Sequence, residues 1–163
     1  MLFRSVRHID ATYRTIARPE ARAIGGHSMG AWGALRAAFT HPDVFGVVGA
    51  HSPSLRYPED PAPGLGSDLD YAVRDPMWLA RNLAGLNQLR IWVDVGADDH
   101  WHFRVIEFHQ ALQEREIPHV WNMFPGMHLP GYWAEHVLDY LRFYSEAMPR
   151  QVTEVLPTPI AAP

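Results

Sequence analysis

Three short segments bring together residue types that can carry nucleophilic chemistry. The first, Gly26-His27-Ser28-Met29-Gly30, satisfies the pattern G-x-S-x-G. In that pattern a serine occupies a strained turn between a strand and a helix, and side chains at the flanking glycines would collide with those elements. The hydroxyl is held out from the turn, and the N–H of Met29 faces a developing oxyanion with the dipole of the following helix behind it. The second segment, Val95-Gly96-Ala97-Asp98-Asp99-His100, holds two adjacent aspartates. Either can fix the tautomer of a histidine and offset the charge its ring acquires, and the other is expected to cap the next helix. The third, Pro125-Gly126-Met127-His128, places a histidine on a loop between Gly126 and Pro130. His128 follows Asp99 by 29 positions, room for one helix and one strand, and Asp99 follows Ser28 by 71. The bland reading is a glycine-rich turn that contains a serine, an aspartate that caps the next helix and one of 10 histidines near a strand end.

Composition narrows what such residues can do. The 163-residue chain has no cysteine, which removes disulfides, thiolate metal sites and cysteine nucleophiles together. All 14 Lys+Arg positions are arginine, so a Schiff-base lysine and a P-loop lysine are excluded as well. The net charge of −4, with arginines scattered along the chain, leaves no footprint for nucleic acid or an anionic membrane surface. With 47% hydrophobic and 20% charged residues and no apolar run near the roughly 20 residues of a membrane span, the composition is that of one globular domain. That domain is expected over residues 1–150, with 151–163, rich in proline and alanine, as a loose tail. Residues 1–7 lack the apolar stretch and cleavage site of a secretory signal, which favours a cytoplasmic location.

The elements that must position these loops alternate along the chain. Strands are predicted over residues 21–26, 45–50, 89–95 and 119–124, on short β-branched or apolar runs. Helices are predicted from Ala31 to a point before Pro42, over 76–83 with Asp75 as N-cap, over 102–116 and over 132–147. The proline-rich stretch 53–66 reads as a surface loop. Strand and helix in alternation predict an α/β fold, a mainly parallel sheet with helices on both faces. Function in such sheets gathers at the carboxyl ends of the strands, where all three segments fall.

The elbow, the downstream acid and histidine loops, and the stretches Ile9-Asp10-Ala11-Thr12-Tyr13-Arg14-Thr15, His41-Pro42-Asp43-Val44-Phe45 and Ser52-Pro53 together resemble the esterase branch of the α/β-hydrolase superfamily. That branch includes esterase D, S-formylglutathione hydrolases, feruloyl and polyhydroxyalkanoate-type esterases and mycolyltransferases. The resemblance implies a serine esterase acting on a small-molecule ester without a cofactor or metal. Ser28 would be the nucleophile, His128 the general base and then acid, and Met29 N–H an oxyanion donor. The family's acid usually stands three positions after the strand-end glycine, which implies Asp99 rather than Asp98. His27, Trp101, Tyr132 and Trp133 are candidates for the substrate pocket, with at least one of the aromatic three expected in the core. Ala31 stands where many relatives have a second glycine.

The resemblance also implies an N-terminally truncated α/β-hydrolase fold. Only 27 residues precede Ser28, where relatives have several strands and a loop that supplies a second oxyanion donor. The strand before the elbow would then lie at an open sheet edge, able to pair with another chain, so the chain is expected to be the carboxyl-terminal part of an esterase, either simply shortened or a half completed as a homo-oligomer. Two rival readings remain. Asp98, Asp99, His100, His102 and His128 could ligate zinc or manganese, or the chain could be a hydrolase fold that binds a ligand without turnover.

Overall fold

The computed structural model describes residues 2–57 and 74–149. The predicted tail at 151–163, and most of the predicted loop at 53–66, lie outside the described residues. Four short runs form strands: β1 (Ala23–His27), β2 (Val47–His51), β3 (Arg90–Gly96) and β4 (His119–Phe124). They build one sheet in the order β1-β2-β3-β4, every pair parallel. The helices are α1 (Leu2–Thr12), α2 (Met29–Thr40), α3 (Pro76–Asn82), α4 (His102–Glu114) and α5 (Pro130–Ala147).

The burial of each strand follows from its place in the sheet. All of β2, and β3 beyond Arg90, is buried, as expected for central parallel strands covered on both faces. The outer strands β1 and β4 are half-buried. Helix α2 lies against β1 and β2, α4 against β3, and α3 bridges α2 and α4, while α5 meets β2 and β3. The α2 to α4 layer is the apolar one: Leu35, Phe39, Val105, Phe108 and Leu112 close over Val48, Ile91, Val93 and Val95. The α5 face is aromatic and polar. There Tyr140, Phe143 and Tyr144 meet His51 and Trp92, and Gly25 and Gly49 leave the room that the Tyr144 hydroxyl occupies.

The predicted elements are all present, with boundaries moved for identifiable reasons. Strands β1 and β2 start two residues later than predicted because the preceding residues are spent on turns. Residues Pro19–Ala21 form a 3-10 turn, and Gly46 N–H donates to Pro19 O at 2.8 Å. Helix α4 stops at Glu114 instead of 116. Glu116 has φ 53, and the Glu116 and Ile117 amides bond back to Gln113 and Leu112 carbonyls, a Schellman closure built without glycine. Helix α5 begins two residues early, with Pro130 at its first position.

Among the described residues β1 has a single strand neighbour. The Arg22 carbonyl and the Ser28 amide both turn toward β2. Alternation therefore directs the peptide groups of Ala23, Gly25 and His27 to the open side. No described helix is long and apolar enough to cross a membrane.

Candidate active site

Ser28 sits between the end of β1 and the first residue of α2 with φ 55 and ψ −123, a conformation that costs backbone energy in a residue with a Cβ. The surrounding peptide groups hold it there. Ser28 N–H donates to His51 O at 3.0 Å, and Ser28 O accepts from Ala31 and Trp32 at 3.1 Å and from Ser54 at 3.2 Å. The two motif glycines differ in their reason for being glycine. A Cβ at Gly26 would come within 2.7 Å of the Gly30 backbone, whereas one at Gly30 would meet no described atom within 4 Å. The predicted collision therefore holds at Gly26 and not at Gly30. Met29 opens α2, so its amide has no carbonyl one turn back to bond.

Asp98 and Asp99 follow β3 but face opposite environments. Asp98 is exposed, and its N–H donates to Gly126 O at 2.9 Å. Asp99 is fully buried. Its Oδ2 lies 2.7 Å from His128 Nδ1, and its Oδ1 accepts Trp101 N–H at 2.8 Å. Its carbonyl also takes the His102 amide at 3.0 Å. The expected division of labour, one aspartate for the histidine and one capping the helix, is thus absent: Asp99 takes the histidine and ties the turn before α4, whose N-cap is Trp101 with no side-chain cap.

His128 closes the arrangement. Its Nε2 lies 2.8 Å from Ser28 Oγ. A carboxylate can only accept, so Nδ1 carries the proton and Nε2 is left as the acceptor for the serine hydroxyl. The ring is flanked by Trp133, edge-on at 5.1 Å, and by His100 at 4.9 Å. Such a chain of carboxylate, imidazole and hydroxyl can deprotonate the serine as it attacks an electrophilic carbon.

A cavity of about 230 Å³ opens over Ser28 and His128, walled by Trp32, Ser54, Arg56, His100 and Trp101. Two larger hollows, of about 720 and 640 Å³, lie around Gly46 and Arg90 and around Arg90 and His119. These are at the amino ends of the strands, the wrong end of a parallel sheet for its chemistry. Of the pocket candidates, Trp101 lines the small cavity. His27 is exposed and stacks on Trp133 at 4.3 Å. Tyr132 is buried, with its hydroxyl donating to Asp94 Oδ2 at 2.8 Å beneath the site, and it belongs to the core. Sequence reasoning missed Trp32, Ser54 and Arg56 as pocket residues. The last two follow β2, so the strand-end rule alone could have found them.

The five residues of the metal reading do not gather into one site. Donor atoms of Asp99, His100 and His128 lie within 4.8 Å of one another. His102 Nδ1 instead turns to the Asp99 carbonyl, and Asp98 points outward. Both His128 nitrogens are already engaged, by Asp99 and Ser28, so a cation here would have to displace one of them.

Solved structures of other proteins share this fold. A ferulic acid esterase superposes with a TM-score of 0.77 at 28% identity, over 90% of this chain and 59% of that one. The S-formylglutathione hydrolase FrmB from Staphylococcus aureus gives 0.71 at 19%, over 88% and 58%. The fluorophosphonate-binding serine hydrolase F of the same organism gives 0.73 at 17%, over 88% and 61%. The chain thus spans about three fifths of the length of these relatives. No curated protein matches its sequence. The esterase family described as "Putative esterase" matches residues 6–144, from α1 to near the end of α5. That span includes every strand and all three loops of the site, and the chain belongs to this esterase family.

Proposed function

We propose that this chain is a serine carboxylic-ester hydrolase of small-molecule esters that works through an acyl-enzyme. The observation that carries the proposal is the unbroken run of contacts from buried Asp99 through His128 to Ser28 at the mouth of a cavity. His128 Nε2 takes the hydroxyl proton as Ser28 Oγ bonds to the ester carbonyl carbon, and Asp99 offsets the charge on the ring. The Met29 amide donates to the oxyanion. Collapse of that intermediate breaks the bond to the alcohol oxygen, which leaves with the proton from His128. Water then attacks the acyl-enzyme with the same histidine as base, which releases the acid and restores Ser28.

Labelling with a fluorophosphonate probe tests this directly. The folded wild type should be labelled and Ser28→Ala should not. A folded wild type that takes no label refutes the active-esterase reading and leaves a hydrolase fold that binds without turnover. Loss of activity on adding a chelator, with labelling intact, would favour the metal reading instead. The open edge of β1 supports self-association of the chain, and its test is the oligomeric state in solution.

A further inference from the structure

A second carboxylate lies beneath the site, and the proposed reaction does not use it. Asp94, the fifth residue of β3, is fully buried between Val93 and Val95. One of its oxygens accepts from His51 Nδ1 at 2.7 Å and Trp92 Nε1 at 2.6 Å. The other accepts from the Tyr132 hydroxyl at 2.8 Å and the Tyr140 hydroxyl at 3.1 Å. A carboxylate has about four lone-pair sites, and all are filled. Burial, and then the Asp94 charge, push both tyrosine hydroxyls far above their ordinary titration range, so each stays a donor. An apolar residue at this depth would be easier to accommodate than a charge, which makes the role of the carboxylate worth finding.

Its partners lead to each of the three loops of the site. His51 ends β2, and its carbonyl accepts the Ser28 amide. Asp94 stands two residues before Gly96, where the acid loop begins. The Tyr132 ring lies on Gly126, so closely that a Cβ there would come within 2.9 Å of it. Gly126 in turn accepts Asp98 N–H at 2.9 Å, and Phe124 O accepts Ala97 N–H at 2.8 Å. The peptide two residues before His128 is therefore caught between the Tyr132 ring and the loop that carries Asp99.

We propose that Asp94 is a positioning residue of the site, acting through the Tyr132 hydroxyl to set the His128 loop against the Asp99 loop. Tyr140 bonds to the same oxygen but stands two turns further along α5, stacked on His51 at 3.6 Å and edge-on to Trp92, with no hydrogen bond or ring contact to either loop among the described residues. It anchors the helix. The two tyrosines thus offer hydrogen bonds of one kind, to one atom, with different consequences. The activity arms of the test rest on the esterase reading; the geometry does not.

The experiment compares Tyr132→Phe with Tyr140→Phe, each of which removes one hydroxyl and keeps its ring. In Tyr132→Phe, kcat on an aryl acetate falls about tenfold with KM held within about twofold, and fluorophosphonate labelling slows in proportion. The downfield proton resonance of His128 Nδ1–H, identified by its loss in His128→Ala, also moves. In Tyr140→Phe, the melting temperature drops while kcat, labelling and that resonance stay as in the wild type. Should Tyr132→Phe not fold, Asp94→Asn takes its place in the same comparison. Equal losses in both variants, or none in Tyr132→Phe, overturn the proposal while a labelled wild type keeps the esterase reading. If the wild type takes no label, that reading fails and the resonance decides alone: a shift confined to Tyr132→Phe sustains the positioning role, and its absence overturns it.

Discussion

Replacing Gly96 by alanine is a severe test of how the site is held together. Gly96 closes β3, and a Cβ built on it would stand 2.8 Å from the Gly126 carbonyl carbon and closer still to the carbonyl oxygen. The obstacle is backbone on both sides, so no side chain can swing away. Restoring ordinary contact parts the two loops by about 1 Å, and a misplacement of that size costs roughly 100-fold in rate. The same movement pulls on Ala97 N–H to Phe124 O and Asp98 N–H to Gly126 O. Leaving such groups unsatisfied costs about 1–3 kcal/mol each. Gly96→Ala should therefore fold with a melting transition lowered in keeping with about 2–6 kcal/mol, and hydrolyse an aryl acetate about 100-fold more slowly. Gly33→Ala is the control for the substitution itself, because a Cβ at Gly33, inside α2, meets no described atom within 4 Å. It should raise stability by up to about 1 kcal/mol through helix propensity and leave the rate alone. A Gly96→Ala enzyme with wild-type rate would show that the loops tolerate separation and would refute the argument from contact.

Other consequences can be checked in parallel. Asp99→Asn should lower kcat by about 10³- to 10⁴-fold, because the histidine loses the acceptor that selects its tautomer, whereas Asp98→Asn should stay within about twofold; equal losses would contradict the assignment of the acid. Burial, and then the neighbouring His119, hold the His109 imidazole below its ordinary 6.5. As pH falls, the unfolded chain takes up this proton first. The contribution to stability is complete above about 6.5 and is lost as pH falls below it. Urea midpoints measured from pH 7.5 to 5.5 should decline, and His109→Gln should flatten the decline; an unchanged slope in the variant would exclude His109 as its source. Self-association at the open edge of β1 predicts a mass above 18.5 kDa that rises with concentration in sedimentation velocity, and a monomer at every concentration would argue against it.

What the sequence revealed of this fold depended on how local the cause was. The run His119–Phe124 could be placed to the residue, because a bounded β-rich segment needs no distant information. The end of α4 could not: its reversal uses Glu116 at positive φ, where sequence reasoning expects glycine or asparagine. The G-x-S-x-G pattern located the elbow, yet the pattern treats two glycines alike when contact explains only Gly26. Asp99 over Asp98 rested on family resemblance, and the structure supplies a physical difference between them in burial. Asp94 falls inside the strand predicted over 89–95, and nothing in the sequence sets it apart there. Its tyrosine partners lie 38 and 46 positions downstream on another element, and no local pattern links them.

Among the described residues, two histidine–aspartate pairs share the same 2.7 Å bond at Nδ1. What separates them is the other face of each ring. His51 Nε2 is 3.2 Å from the Tyr144 hydroxyl, whose titration is pushed up to about 12, and the residue is 6% exposed. His128 Nε2 looks onto a serine beside open space. The molecule thereby carries a buried twin of the dyad proposed to be reactive. A reagent that acylates imidazoles has one accessible target of the two, and spectra of the buried pair give an internal reference for the one beside the cavity. A histidine bonded to an aspartate is thus a poor marker of reactivity by itself; what the distal nitrogen can reach decides whether the pair is chemistry or scaffolding.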